Sequence, residues 1–168
     1  MGAALAAAYG RILDGLGLLA GAVIALLALM ISIDVVIRNL GIGNFPWLLE
    51  VAEYALYVTT FLAAPWVLHL GAHVRVDVLL NIVPKGIGRL LEIAADVVGL
   101  GASAILFYYG LAATQASFAD GSLIFKELVV TEWYLMAAMP LSAVLLMVEF
   151  VLRLRRGAVG ETPVAEGL

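Results

Sequence analysis

Apolar residues run without alternation through four long stretches of this chain, at about residues 16–37, 48–70, 87–113 and 133–152. The hydrocarbon core of a bilayer takes about 20 helical residues, so each stretch predicts one transmembrane helix. Barrel strands would instead alternate over segments of about ten residues. The predicted fold class is therefore all-α integral membrane, with four transmembrane helices in a single domain over residues 1–156. Residues 157–168 carry Gly157, Gly160, Thr162, Pro163, Glu161 and Glu166 and predict a disordered tail.

Composition reinforces this reading. Hydrophobic residues make up 64% of the chain and charged residues 13%, with a mean hydropathy of +1.10. Soluble domains sit near a half and a quarter. The net charge of -4 has little weight in topology, and no block of basic residues points to nucleic acid. The chain has no cysteine, which excludes disulfides, thiolate metal sites and cysteine nucleophiles. Arg11 and Asp14 precede an apolar run longer than a signal-peptide core, with no small-residue cleavage site after it. The first stretch therefore reads as a retained span.

Four spans put both termini and the middle connection on one side. That side carries Arg11, Arg75, Lys85, Arg89, Arg153, Arg155 and Arg156, against Arg38 and Lys126 on the other. The excess of positive charge predicts that both termini are cytoplasmic. Trp47, Trp133 and Tyr134 then open the second and fourth spans at the outer interface, while Trp66 lies toward the inner end of the second.

The helix faces carry the candidate residues. In the first span Gly17, Gly21, Ala25, Ala28 and Ser32 form a stripe of small side chains that admits a close helix neighbour. Asp34 and Arg38 lie about 180° and 220° around the helix from Ala25, so two faces need partners. In the second span Glu50, Glu53, Tyr54, Tyr57, Thr60, Phe61 and Ala64 share a stripe, and Glu50 should lie at the depth of Arg38 and pair with it. Pro65 should kink this helix. In the third, Asp96, Gly99, Ser103 and Gly110 share a stripe, with Asp96 deep enough to need a polar neighbour. In the fourth, Pro140 falls near the middle, and Glu149 is four residues before Arg153, the spacing of a one-turn ion pair.

Little here points to catalysis. His69, His73 and Asp77 recur every four residues and would align as metal ligands on a continuous helix, but Gly71 and the valines around them argue for an interfacial segment over residues 69–84. Both histidines are on that one segment, which disfavours bis-histidine haem ligation. No catalytic triad, phosphate loop or metalloprotease motif is present, and the expectation is a protein that is not an enzyme and holds no cofactor.

Read together, Asp34-Val-Val-Ile-Arg38, Trp47-Leu-Leu-Glu50, Phe61-Leu-Ala-Ala64 and Gly71-Ala-His73-Val-Arg75-Val-Asp77 resemble the DctQ family, the small membrane subunit of tripartite ATP-independent periplasmic (TRAP) transporters. Trp133-Tyr134 and Pro140 add to the resemblance. The chain departs from the family pattern at Ala63 (often Gly), Asn39 (often aromatic) and Glu53 (often basic), and a proline before Trp133 is missing. The resemblance implies a scaffold for a large permease subunit, in sodium-coupled uptake of an organic acid such as a dicarboxylate. A periplasmic binding protein would deliver the acid at a bacterial cytoplasmic membrane, and sodium coupling would belong to the large subunit. Asp34, Arg38, Trp47, Glu50, His73, Asp77 and Asp96 are then structural or subunit-interface candidates. The alternatives are an independent four-helix transporter that dimerises around Asp96 and a haem-bearing anchor of a redox complex.

Overall fold

The computed structural model describes residues 3–71 and 85–159. Its helices are α1 (Ala3–Asn39), α2 (Pro46–His69), α3 (Lys85–Asp120), the short α4 (Glu132–Met136) and α5 (Ala138–Val159). Four helical stretches, Ala7–Asn39, Pro46–His69, Ile87–Asp120 and Glu132–Arg156, are long and apolar enough to cross a membrane. They outrun the apolar cores that predict them, since α1 has 37 residues and α3 has 36. At 1.5 Å per residue each is roughly 55 Å long, against about 30 Å of hydrocarbon. The polar turns at their ends continue the helix instead of ending it.

Local chemistry sets where the elements stop. The N–H of Gly41 donates to the Arg38 carbonyl and that of Ile42 to Ile37, with Gly41 at φ 68°. Gly121, at φ 62°, closes α3 in the same way through Phe118 and Ser117. Both are Schellman caps, whose left-handed residue is best met by glycine. Pro46 occupies the first turn of α2, where its missing N–H costs nothing. Pro140 acts earlier than a mid-span kink: it cannot donate to the Met136 carbonyl, and the fourth span is interrupted at Ala137, between α4 and α5. The helical backbone runs on to Val159, into the stretch expected to be a tail, while residues 160–168 lie outside the described residues.

The connection from α3 to α4 contains an antiparallel hairpin that the apolar pattern does not announce. Strand β1 (Leu123–Phe125) pairs with β2 (Val129–Thr131) in the register Leu123 to Thr131, Ile124 to Val130 and Phe125 to Val129. The long helices alternate in direction and pack mainly as a row in the order α1, α2, α5, α3. One end of the row, the termini end, gathers the start of α1 and the finish of α5. The other is the hairpin end.

Two seven-residue series build this row. Leu13, Ala20, Leu27 and Asp34 form the inner line of α1, flanked three residues on by Leu16, Val23, Met30 and Ile37, all at least partly covered. That is a left-handed coiled-coil seam, and α2 packs on it. The small-residue stripe expected to receive a helix behaves differently. Gly17 meets the Trp66 ring, but Gly21, Ala25, Ala28 and Ser32 are exposed. On α3 the buried line is Asp96, Ser103, Gly110 and Ser117. Small and hydroxylic side chains there let α5 approach closely: a Cβ on Gly99 would fall 2.3 Å from Phe150 Cζ.

Inside α2, Pro65 leaves the Phe61 carbonyl without its helical donor. Ser142 of α5, fully buried, donates its hydroxyl to that carbonyl. Thr59, Ser103 and Thr114 instead bond to carbonyls three or four residues back in their own helices. Ser142→Ala should therefore destabilise the fold by about 1–3 kcal/mol, the range for an orphaned buried acceptor. In a Pro65→Ala background, where residue 65 regains its N–H, the same change should cost much less. Thermal unfolding of the four proteins of this cycle in one detergent measures the coupling.

Candidate functional site

Polar side chains concentrate at the two ends of the row, and each end works differently. At the termini end all four long helices contribute. Glu149 of α5, 1% exposed, accepts a hydrogen bond from His69 Nδ1 of α2 at 3.2 Å. The Tyr9 ring of α1 meets the His69 ring edge-on, with centroids 6.2 Å apart, and its hydroxyl donates to the Leu145 carbonyl at 3.0 Å. Arg153 Nε donates to Asp96 Oδ1 of α3 at 3.0 Å. Trp66 Nε1 donates to Asp14 Oδ1 at 3.3 Å, which ties α2 to α1 a second time.

These contacts correct two expectations. The one-turn ion pair between Glu149 and Arg153 does not form. Each reaches across to another helix, because a side chain buried in the packing faces its neighbour rather than the next turn of its own surface. Asp96, 7% exposed, has the polar neighbour its depth demands, and that neighbour is Arg153. His69 is occupied by Glu149, and among the described residues no three His, Cys, Asp or Glu side chains gather as metal ligands. His73 and Asp77 lie outside the described residues.

At the hairpin end the acceptors are carboxylates and the donors are largely backbone. Glu50 of α2, 9% exposed, spreads its two oxygens over consecutive amides at the hairpin tip: Glu127 N–H to Oε1 at 2.7 Å and Leu128 N–H to Oε2 at 2.9 Å. One turn on, Glu53 Oε2 takes Lys126 Nζ at 2.7 Å, and that ammonium stands 5.6 Å from the Tyr54 ring centroid. The hydrogen bond that Lys126 donates to Glu53 raises the Lys126 pKa above its ordinary value, partly offset by desolvation. This pair is exposed, so solvent screens it and it contributes little to stability. Asp34 Oδ1 accepts the Phe45 N–H at 2.8 Å and so closes the turn from α1 into α2. Ser117 donates to Glu132 at 3.0 Å and ties the end of α3 to the start of α4.

The expected pair of Arg38 with Glu50 is therefore replaced. Glu50 is filled by the hairpin amides, whereas Arg38 is exposed and its guanidinium has no partner among the described residues. Trp47 is 39% exposed, with its ring 6.0 Å from Phe45. Trp133 stacks on Tyr134 at 4.0 Å and meets Phe118 edge-on at 5.5 Å, which completes an aromatic group at this end. Sequence reasoning missed Lys126, the tip amides and His69 with Glu149. The available signal was weak: two triplets rich in β-branched and bulky apolar residues around Lys126-Glu127-Leu128, each too short to establish alternation.

Two outcomes follow. Arg153→Met should strand the Asp96 carboxylate and destabilise the protein by about 3–5 kcal/mol, whereas Asp96→Asn with Arg153→Met should recover much of that loss. Chemical unfolding in detergent measures both. Glu50→Gln removes a charged acceptor from two amides, so the hairpin should open, with faster hydrogen exchange at Glu127 and Leu128 and little change at Ser103 in mid-helix.

The geometry describes a row of membrane-spanning helices clasped at both ends by polar contacts. Comparison with curated proteins gives no significant match. The family model for the DctQ component of tripartite ATP-independent periplasmic transporters matches residues 27–160, which takes in the later part of the first span, the other three spans and the hairpin. The chain is thus a multi-pass membrane protein that belongs to the DctQ component family of the TRAP transporters.

Proposed function

We propose that this chain is the non-catalytic small subunit that holds a large permease subunit in place during sodium-coupled uptake of an organic acid. In this reading a periplasmic binding protein delivers the acid, the membrane is the bacterial cytoplasmic membrane, and both termini lie in the cytoplasm. The hairpin end then faces outward. Substrate and sodium sites belong to the permease, and this chain is stationary during transport.

The observation that carries the reading is where the polar groups sit. A conduit needs polar groups free to exchange partners along the span, as intramembrane ionisable residues in transporters do. Here Glu149, Asp96 and Glu50 are each buried against a fixed partner near an end of a span. The mid-span hydroxyls of Thr59 and Ser103 are turned back onto their own helices. Both outer helices of the row expose long apolar faces, with Leu19, Leu26 and Ile33 on α1 and Val98, Ile105 and Tyr109 on α3. Such faces serve to meet lipid or other membrane helices. Asp96 as the centre of a self-sufficient dimer fits less well, because Arg153 of the same chain already holds it.

Affinity purification of the tagged chain from its native membrane in mild detergent should bring down a multi-span permease. The chain reconstituted alone should give no sodium-driven uptake of organic acids. A folded preparation that carries no permease, or flux from the chain by itself, would remove this reading.

A further inference from the structure

A shallow groove of about 440 Å³ runs along α1 at the termini end, lined by Asp14, Gly17, Leu18, Gly21, Ala22 and Trp66. Trp66 lies so close over Gly17 that a Cβ there would fall 2.2 Å from the indole, whereas a Cβ at Gly21 would meet nothing within 4 Å. Trp66 thus forms one wall and Gly21 opens the floor. At the mouth, Asp14 uses Oδ1 for the indole N–H, and its second oxygen has no partner among the described residues. Arg11, three residues earlier and so one turn nearer the helix end, is exposed; its guanidinium likewise has no partner among the described residues and is not paired with Asp14. An apolar channel therefore opens beside one carboxylate oxygen and one guanidinium, about a helical turn apart, that have no partner among the described residues.

We propose that this groove binds one phospholipid with a zwitterionic, primary-ammonium headgroup. Its phosphate pairs with Arg11, whose planar fork of donors suits phosphate oxygens. Its ammonium donates to the free oxygen of Asp14. One acyl chain lies over Gly21 against Trp66. An anionic headgroup would meet the Asp14 charge, and a trimethylammonium headgroup has no N–H to give a carboxylate. A protein helix seated here would have to satisfy two opposite charges within a single turn, which the lipid headgroup does by itself. The site is independent of the transport reading, since it uses residues of this chain alone.

Trp66 reports on the site directly. In the full-length chain with Trp47→Phe and Trp133→Phe, Trp66 is the one remaining tryptophan. This protein is placed in phosphatidylcholine vesicles that contain small fractions of acyl-brominated phosphatidylethanolamine, phosphatidylglycerol or phosphatidylcholine. Quenching by the brominated phosphatidylethanolamine should exceed that by the other two by roughly fivefold, the factor that a headgroup ion pair near the surface supplies. Asp14→Asn keeps an acceptor for the indole N–H, and Arg11→Gln keeps the helix. Each should reduce the preference to near parity without shifting the Trp66 emission maximum. Gly21→Leu, whose Cβ has no neighbour within 4 Å among the described residues, should abolish it by filling the floor. Equal quenching by all three lipids would overturn the proposal, as would a preference that survives all three substitutions. Protection of Trp66 from every brominated lipid in a purified complex would assign the groove to a protein helix and also overturn it.

Discussion

A buried polar group in hydrocarbon has no water to fall back on, and the polar contacts between the helices of this protein follow from that constraint. Pro65 is the clearest case. The ring removes one backbone donor from the middle of a spanning helix, and the freed Phe61 carbonyl is answered by a hydroxyl on the next helix in the row. A local defect in α2 thus fixes the register of α5 against it. Where no donor is missing, hydroxyls such as those of Thr59 and Ser103 fold back on their own helix and leave the interface apolar or small.

The same constraint explains why the two ends differ. Side chains on four long helices meet at the termini end, where Tyr9, His69, Asp96, Glu149 and Arg153 link α1, α2, α3 and α5. At the hairpin end a carboxylate on α2 takes backbone amides from a loop. A loop bound through its main chain does not depend on which side chains it carries. The tip can therefore vary in sequence and stay docked, provided that a carboxylate stands at position 50. A carboxylate with two good N–H donors is also among the stronger neutral-to-charged pairings, roughly twice a neutral bond.

The four spans were legible in the sequence because length and hydropathy alone set them, and the seam on α3 because Asp96, Gly99, Ser103 and Gly110 share one face of a helix whatever it packs against. The pairings were not legible. Glu149 with Arg153 and Arg38 with Glu50 are what single-helix spacing and shared depth propose, yet the row places His69 and Asp96 nearer, and two amides outbid a guanidinium for Glu50. Tertiary neighbours decide such contests, and no periodicity within one helix encodes them. On α1 the small-residue stripe drew attention from the better signal, the seven-residue recurrence of Leu13, Ala20, Leu27 and Asp34. Bulk recurring every 3.5 residues specifies a seam, whereas small residues only permit one.

That distinction bears on how the row relates to its surroundings. In α1 the seam toward α2 drifts slowly around the helix, while Gly21, Ala25, Ala28 and Ser32 stay uncovered on another side. In α3 the small residues themselves lie buried against α5, and the uncovered surface is bulky, with Leu90, Val98, Ile105 and Tyr109. Both outer helices therefore expose bulky residues, and α1 in addition leaves a small-residue stripe uncovered. Bulky aliphatic surface is as well solvated by lipid tails as by protein, but an uncovered shallow face gains dispersion contacts only from something that fits it. The row is accordingly asymmetric: the small-residue line of α3 is filled by α5, whereas that of α1 beyond Gly17 has no cover among the described residues.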